Sequence, residues 1–413
     1  MAARPEGDDE GVWRREAPHV LAALLRRSGD FGACEDAVQE ALLAAAVQWP
    51  HDGVPDDPRA WLIRVAARRL IDARRSTDAE AARLHRWAMA CRADSASAPS
   101  ADQTPLAGDD TLQVLLGCAH PDLSDTSRVA LTLRAVAGLS TRQIAALLFT
   151  GEATVAQRIS RAKGTIRDSS TALVPPRVSD LPSRLSSVRH VLHLIFTAGH
   201  TASHGGALTD DALAEEALWL AQRLHRALPD DGETSGLLAL MLLSHARVRA
   251  RIDHRGDLIP LPEQDRSLWD AELIAKGVAV LEAALPHGEV GPFQLHAAIA
   301  AVHAESATPE ATDWLQIVML YRMLDRIAPS PTVRLNLAAA VGMAHGPAAG
   351  LDALAPLLAD PGHLALHRVH ATHAHLLEIA GRREEAREAY ALAARLTRNI
   401  PEQRYLHRKA AAP

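Results

Sequence analysis

Residues 139–167 read LSTRQIAALLFTGEATVAQRISRAKGTIR, and this stretch predicts two helices joined by a short turn at 149–151. Ser140 and Gln143 have the spacing of a capping box, in which each side chain bonds to the backbone N–H of the other residue and starts a helix. Apolar residues recur at helical spacing in both helices; they are Ile144, Ala145 and Leu148, and then Val155, Ile159, Ala162 and Ile166. The stretch therefore predicts a helix-turn-helix.

The opposite face of the second helix is polar and basic; its residues are Thr154, Gln157, Arg158 and Arg161. Arg and Gln side chains can make paired hydrogen bonds to guanine and adenine edges in a major groove. Lys163 stands where the helix would leave the groove, and it is better placed for a phosphate contact. An ordinary helical hairpin can have a charged face, but 128–167 holds seven basic residues and one acidic residue. This excess of positive charge favours a DNA-binding face.

A second basic segment lies upstream, where 58–92 holds nine Arg and three acidic residues. Its first part, PRAWLIRVAARRLIDARR (58–75), predicts an amphipathic helix, and the basic residues of the outer face are Arg64, Arg68, Arg69 and Arg75. A basic helix behind the turn-rich loop 51–57 can hold a phosphate backbone while the loop engages an unstacked base. Solvated Arg faces are common on helices, but a pair of basic segments favours contact with nucleic acid at two places.

The helix predicted at about 33–48 carries an acidic patch instead, formed by Glu35, Asp36, Gln39 and Glu40. An acidic face is poorly suited to DNA and well suited to a basic protein partner. Taken by itself, the patch is more typical of a solvated helix face. Its position beside a basic helix makes a protein partner the more informative hypothesis.

The composition limits the class of protein. The chain has 413 residues, with 44 basic and 50 acidic side chains, so its formal charge is −6 and any basic surface must be local. Hydrophobic residues make up 48% of the chain, enough for buried cores. The three cysteines have no CxxC spacing, which indicates a reducing compartment. No apolar run approaches the roughly 18 residues that span a bilayer, and we expect a soluble cytoplasmic protein without a membrane partner.

Two breaks divide the chain. Residues 94–110 have the Ser, Ala, Pro and Asp content of a linker, and Val174-Pro175-Pro176 is a further break. From about 181 to 408 helix follows helix and no convincing strand appears, so we expect an all-α fold. The segment 374–398 fits one tetratricopeptide (TPR) unit, because small residues stand where its two helices must approach closely; these are Ala374, Gly381, Ala386 and Ala393.

Three segments together resemble a known family. EDAVQEALLAAAVQW (35–49), PRAWLIRVAARRLIDARR (58–75) and LSDTSRVALTLRAVAGLSTRQIAALLFTGEATVAQRISRAKGTIR (123–167) are similar, in order and spacing, to regions 2 and 4 of bacterial RNA polymerase sigma factors of the extracytoplasmic-function (ECF) type. Later segments, among them QLHAAIAAVHA (294–304), resemble the helical, TPR-like C-terminal extension of a subgroup of these factors.

The resemblance implies four parts: 10–80 as sigma region 2, 81–110 as a flexible linker, 111–172 as the helix-turn-helix of region 4, and 180–413 as a TPR-like domain. It implies core RNA polymerase (β′ clamp and β flap) and promoter DNA as partners. The expected polymerase-binding residues are Glu35, Asp36, Gln39 and Glu40. Those expected at the −10 element are Arg59, Arg64, Arg68, Arg69 and Arg75, and those at the −35 element are Thr154, Gln157, Arg158, Arg161 and Lys163.

The chain departs from the family pattern at two positions. Arg68 stands where an Asn is frequent in the region 2 helix, so the family's −10 sequence preference cannot be carried over. Cys34 stands where a small residue such as Ala is usual, and we expect it to be a buried, unreactive side chain.

Two groups of polar residues invite other interpretations. His190, His193, His200 and His204 could bind a metal, but their spacing is not that of a compact site and no cysteine lies nearby. His254, Asp257, Asp265 and Asp270 could be catalytic, but no nucleophile–base pair or phosphate loop accompanies them. We therefore expect a structural loop at 252–270, and no catalytic residue, metal or cofactor.

The sequence predicts a sigma factor that binds core polymerase and directs promoter-specific initiation, with the C-terminal domain regulating activity in cis and holding a protein or peptide in its groove. The alternative is a dimeric helix-turn-helix regulator that binds an operator and carries a helical-repeat sensor. An acidic 35–40 patch and a −10-type helix distinguish the two, because a dimeric operator-binding protein needs neither. A third class, an enzyme built on residues 180–413, lacks any assignable site.

Overall fold

The structure is a computed structural model, and it describes residues 8–28, 30–74, 109–120, 122–148, 150–168, 181–200, 211–286 and 288–412. Within these ranges the chain forms α-helices and short 3-10 turns, and the described part contains no β-strand, only an isolated bridge between Ile252 and Leu258. The all-α fold is confirmed. No helix in this part of the chain has the length and apolar content needed to cross a membrane.

The helices are numbered in chain order. They are α1 (Asp8–Ser28), α2 (Phe31–Asp52), α3 (Pro58–Arg74), α4 (Asp110–Cys118), α5 (Asp125–Ala135), α6 (Thr141–Leu147), α7 (Glu152–Asp168), α8 (Leu181–His200), α9 (Asp211–Ala227), α10 (Gly232–His245), α11 (Ala271–Ala284), α12 (Pro292–Glu305), α13 (Trp314–Ile327), α14 (Pro331–His345), α15 (Pro347–Ala359), α16 (His367–Ile379), α17 (Arg383–Leu396) and α18 (Ile400–Ala411).

The chain divides into two compact units, 1–194 and 195–413. The division falls inside α8, whose first half is held to the first unit. Arg184 donates a hydrogen bond to the carbonyl oxygen of Leu116 at 3.4 Å, and His190 lies 3.3 Å from the carboxylate of Asp125. The predicted domain limits of 10–80, 111–172 and 180–413 remain predictions, and the predicted linker 81–110 lies almost entirely outside the described residues.

The first three helices pack against one another around apolar side chains of α1 and α2. The rings of Trp49 and Trp61 meet edge-on at 5.5 Å and join α2 to α3. The sequence predicted that the second helix ends at Gln48, and this is wrong by one turn, because α2 continues through Pro50 to Asp52. Pro50 removes one hydrogen bond from the last turn. The N–H of Gly53, at φ +83°, closes that turn on the carbonyl of Trp49.

The predicted helix-turn-helix is present as α6 and α7. Ser140 and Gln143 form the predicted capping box, with distances of 2.9 Å from the Ser140 N–H to Gln143 Oε1 and 3.2 Å from the Gln143 N–H to Ser140 Oγ. The predicted apolar residues of α7 are all buried; they are Val155, Ile159, Ala162 and Ile166. They pack α7 against α5 and α6, which leaves the opposite face of α7 in solvent.

The second unit is a succession of helices, each packed on the next. Small residues allow some of these helices to approach closely. A Cβ added at Gly350 in α15 would lie 2.7 Å from the Cα of Gly342 in α14, so only glycine fits there. The TPR-type segment predicted at 374–398 is a helical hairpin of α16 and α17, turned at Gly381 (φ +76°), although its first helix begins earlier, at His367. The arrangement fits a TPR-like repeat.

The buried faces of this hairpin confirm the predicted close packing. Its core is formed by Ala374, Leu377, Ala386, Tyr390 and Ala393. The hydroxyl of Tyr390 donates a hydrogen bond to Glu378 at 2.8 Å, which satisfies the polar end of a ring that is otherwise buried. Lys409 of α18 lies 2.6 Å from the other carboxylate oxygen of Glu378 and fastens the last helix to the hairpin.

Candidate functional site

The solvent face of α7 carries most of the residues predicted to read DNA. Thr154, Gln157 and Arg161 are exposed, and Arg158 is partly buried. They lie opposite the buried apolar stripe, so a groove could receive them without disturbing the core of the unit. Lys163 is different, because its side chain is turned towards α2 rather than into solvent. Its ammonium group lies 2.7 Å from the carboxylate of Asp36.

Helix α3 also presents a basic face. Arg59, Arg64, Arg68 and Arg69 are all exposed. Two of them have acidic neighbours, since Arg59 lies 2.6 Å from Glu16 and Arg69 lies 3.4 Å from Glu40. Exposed pairs of this kind contribute little to stability, so a phosphate can replace the carboxylate at low cost. Arg75, the fifth residue predicted at this site, lies outside the described residues.

The acidic patch of α2 is divided between two faces of the helix. Asp36 and Glu40 are exposed, whereas Glu35 and Gln39 are buried against other parts of the first unit. The predicted surface of all four residues is therefore wrong for Glu35 and Gln39. Their spacing explains the division, because residues four apart share a helix face and adjacent residues do not. The sequence could not decide which pair is buried, since that depends on helices distant in the chain.

The sequence did not indicate that two exposed apolar side chains lie beside Asp36 and Glu40 on α2. Leu43 and Val47 are 67% and 68% exposed, and they continue the row of Asp36 and Glu40 along α2. Their positions follow Asp36 at intervals of seven and eleven residues, which is the spacing of one helix face. Two apolar side chains on one exposed helix face, next to two acidic ones, form a candidate contact surface. The exposed row therefore combines two acidic and two apolar side chains, and we call it the α2 row.

The buried carboxylate of Glu35 is held by two cations. It is only 1% exposed, and Arg134, at the end of α5, donates a hydrogen bond to it at 2.9 Å. Lys163 of α7 pairs with its other oxygen. The side chain of Gln39 donates a hydrogen bond to the carbonyl oxygen of Arg134 at 3.3 Å. These contacts bring α2 together with α5 and α7, and we call them the α2–α7 contact.

A second polar contact in the first unit joins α1 to α4. Asp110, near the start of α4, accepts a hydrogen bond from Arg26 at 2.6 Å and lies 3.4 Å from the ring of His19. Burial opposes ionisation of Asp110, but the hydrogen bonds from His19 and Arg26 outweigh it and lower the pKa of the carboxyl. The carboxylate is therefore ionised near neutral pH and holds α1 and α4 together.

Two cysteines of the first unit behave as apolar packing. Cys34 is fully buried, as predicted, and Cys118 is also buried. Burial raises the pKa of the Cys118 thiol, and the negative charge of Glu35 raises it further. A thiol with a raised pKa is a poor nucleophile.

The histidines considered as metal ligands are dispersed. His190 faces Asp125, whereas the ring of His200 stacks on Phe196 with centroids 5.2 Å apart. Burial and, after it, the charge of Arg251 lower the pKa of His200 to about 2, so the ring is neutral. His204 lies outside the described residues. Across the described ranges, no group of three or more His, Cys, Asp or Glu residues could hold a metal ion.

The acidic residues of the loop 252–270 have structural partners. Asp257 is buried and accepts hydrogen bonds from Arg404, at 2.9 Å, and Arg408 of α18. Asp265 accepts hydrogen bonds from the N–H and hydroxyl of Ser267, and Asp270 caps the start of α11. His254 is exposed. The expectation of a structural loop is confirmed for the three aspartates.

Comparison with known proteins gives matches along much of the chain. Residues 12–80 match the family described as sigma-70 region 2, and 113–166 match sigma-70, region 4. Residues 184–285 match a family of unknown function (DUF6596). No solved structure gives a significant match.

Several curated proteins are similar to this chain. An uncharacterized protein of Rhizobium meliloti is 38% identical over 392 residues, which cover 94% of this chain and 92% of that protein. The ECF RNA polymerase sigma factor SigL of Mycobacterium tuberculosis is 34% identical over 148 residues, 35% of this chain and 77% of that protein. The probable ECF RNA polymerase sigma factor SigI of the same species is 32% identical over 166 residues, 39% of this chain and 55% of that protein.

Proposed function

The chain belongs to the family of ECF RNA polymerase sigma factors, and from this we propose that it binds core RNA polymerase, directs it to promoters and helps to open the duplex. The observation that supports this most strongly is that two exposed basic helices, α3 and α7, lie in one compact unit with their apolar faces buried. In this proposal the polymerase performs the bond chemistry, and the chain supplies recognition in the cytoplasm.

Helix α7 would read the −35 element. Gln157 and Arg161 stand on its exposed face, where they can reach base edges, and Thr154 suits a methyl or phosphate contact near the start of the helix. Arg158 is partly buried and would contact the edge of the same groove. Helix α3 would hold the −10 element through Arg64 and Arg68, which are exposed, and through Arg59 and Arg69 once phosphates replace Glu16 and Glu40.

The α2 row would bind the β′ clamp of the polymerase. Asp36 and Glu40 supply negative charge for a basic partner, and Leu43 and Val47 supply apolar area that gains by being covered. A surface of this mixed character suits a helix with basic and apolar side chains. The β flap, the second polymerase contact, would be met by region 4.

A dimeric operator-binding regulator is not favoured. Such a protein needs a helix-turn-helix but no region 2, whereas residues 12–80 match sigma-70 region 2. The α2 row and the basic face of α3 would also have no function in it.

The second unit would regulate the activity in cis through a docking surface on α13. Four large apolar side chains lie exposed along this helix; they are Leu315, Met319, Met323 and Ile327. Met319 is 64% exposed, and methionine adapts to irregular partners. Arg322 and Arg326 are exposed along the same helix. An apolar stripe with basic side chains beside it fits an acidic amphipathic helix of another protein.

The first prediction concerns polymerase binding. Asp36→Arg together with Glu40→Arg should abolish co-precipitation of core polymerase with the full-length protein, because two charges reverse on the α2 row. Glu384→Arg with Glu388→Arg is a matched control, since these exposed glutamates are also four residues apart, on α17. The control should bind as the native protein does. Undiminished recovery of the β′ subunit with the α2 variant would rule out this role for the row.

The second prediction concerns −35 specificity. Gln157→Ala or Arg161→Ala should each cost about 1–3 kcal/mol of promoter binding and relax the preference at one or two base pairs. Binding of holoenzyme to a promoter library measures both effects. Arg383→Ala, an exposed Arg of α17, is the control and should change neither. An unchanged −35 preference in both α7 variants would show that another face reads the DNA.

The third prediction concerns α13. A labelled, Glu-rich amphipathic model peptide should bind the full-length protein in a fluorescence anisotropy titration, and binding should change the yield of run-off transcript. Met319→Asp with Met323→Asp should remove binding, because it places charge in the stripe. The control probe is a scrambled peptide of the same composition. Equal binding of both peptides would contradict the docking surface, and tight binding without a change in transcript would contradict regulation in cis.

A further inference from the structure

The α2–α7 contact uses the same acidic region of α2 that the proposed function assigns to the polymerase. Lys163 pairs with the carboxylates of both Glu35 and Asp36, so one cation bridges the buried face and the exposed α2 row. Arg134 also pairs with the carboxylate of Glu35. Two negative and two positive charges therefore neutralise one another within a single compact unit.

The α2–α7 contact partly buries its two cations and almost completely buries Glu35. The side chains of Arg134 and Lys163 are only 17% and 15% exposed. A partly buried ammonium or guanidinium group needs a paired charge to offset its loss of hydration. The carboxylates of Glu35 and Asp36 are therefore paired with α5 and α7 as long as the contact persists. Another basic partner would have to displace these cations to pair with them.

The contact is also polar and incompletely filled. Beside it lies a cleft of about 580 Å³, bordered by Asp30, Asp36, Arg134, Lys163 and Arg167. Polar and wet interfaces are typical of contacts that form and separate, whereas permanent ones are more apolar. The ion pairs at its rim also weaken with salt. These features suit a contact that opens when a competing partner arrives.

We propose that α5 and α7 are an internal competitor for the acidic end of the polymerase-binding surface of α2, where Arg134 and Lys163 pair with Glu35 and Asp36 in place of the polymerase's basic side chains. This inference rests on the proposed function, because it assumes that the α2 row binds the polymerase. We call the arrangement with the α2–α7 contact formed the closed state. In it Lys163 is held on α2 and cannot contact a DNA phosphate. Opening therefore frees Glu35 and Asp36 for the polymerase and Lys163 for its predicted DNA contact together.

The closed state lowers the apparent affinity for polymerase. When only an open fraction of the molecules can bind, the dissociation constant rises by the inverse of that fraction. Lys163→Glu should therefore strengthen polymerase binding, because it repels Glu35 and Asp36 and opens the contact. Arg383→Glu makes the same charge change at an exposed position of α17 and serves as the control, which should leave the affinity at the native value.

A disulfide can hold the contact closed. A Cβ added at Gly32 in α2 would lie 3.8 Å from the Cβ of Lys163, the usual separation across a disulfide. Neither position belongs to the α2 row. The experiment uses full-length Gly32→Cys/Lys163→Cys protein with Cys91→Ser, so that the native cysteines left are the buried Cys34 and Cys118. The controls are the two variants that carry only one of the new cysteines. Mild oxidation should cross-link the double variant alone.

Co-precipitation with core polymerase then tests whether the closed α2–α7 contact prevents polymerase binding. The reduced double variant should bind at least as well as the native protein, the oxidised one should lose binding, and dithiothreitol should restore it. Failure to cross-link, or full binding while cross-linked, would overturn the internal competitor. Failure of the native protein and the reduced variant to bind polymerase would instead contradict the proposed function. Weaker binding of Lys163→Glu than of Arg383→Glu would also overturn the inference.

Discussion

The carboxylate of Glu35 organises the first unit of this protein. It is withdrawn from water, and its charge is balanced by Arg134 of α5 and Lys163 of α7. A buried carboxylate left without these partners would be strongly unfavourable, so the pairing joins α2, the helix proposed to bind polymerase, to α7, the helix proposed to read DNA. The exposure of Asp36, the orientation of Lys163 and the position of the mixed-charge cleft all follow from this one arrangement.

The charge pattern gives one chain two kinds of surface. Arg64 and Arg68 of α3 and Arg161 of α7 face solvent and suit a phosphate backbone or a base edge. The α2 row faces solvent with the opposite sign and with apolar side chains, which suit a protein. Segregation of the two surfaces explains how a chain of net charge −6 can engage nucleic acid and a basic protein partner together.

Local patterns in the sequence predicted the elements well, and the tertiary contacts poorly. The capping box at Ser140 and the buried stripe of α7 depend on residues a few positions apart, so their spacing was sufficient. The burial of Glu35 depends on Arg134, 99 positions away, and no local pattern indicates it. The end of α2 was misplaced because 51–57 was interpreted as a turn-rich loop, whereas the helix continues through Pro50 and is closed by the N–H of Gly53.

The central claim is that the chain is an initiation factor that acts on core RNA polymerase. Run-off transcription with purified core polymerase, the full-length protein and a library of promoter fragments tests it most directly. The account predicts transcripts that require the protein, start at defined positions and come from fragments that share −35 and −10 elements. Transcripts that do not depend on the protein, or binding to a single operator without the polymerase, would contradict it.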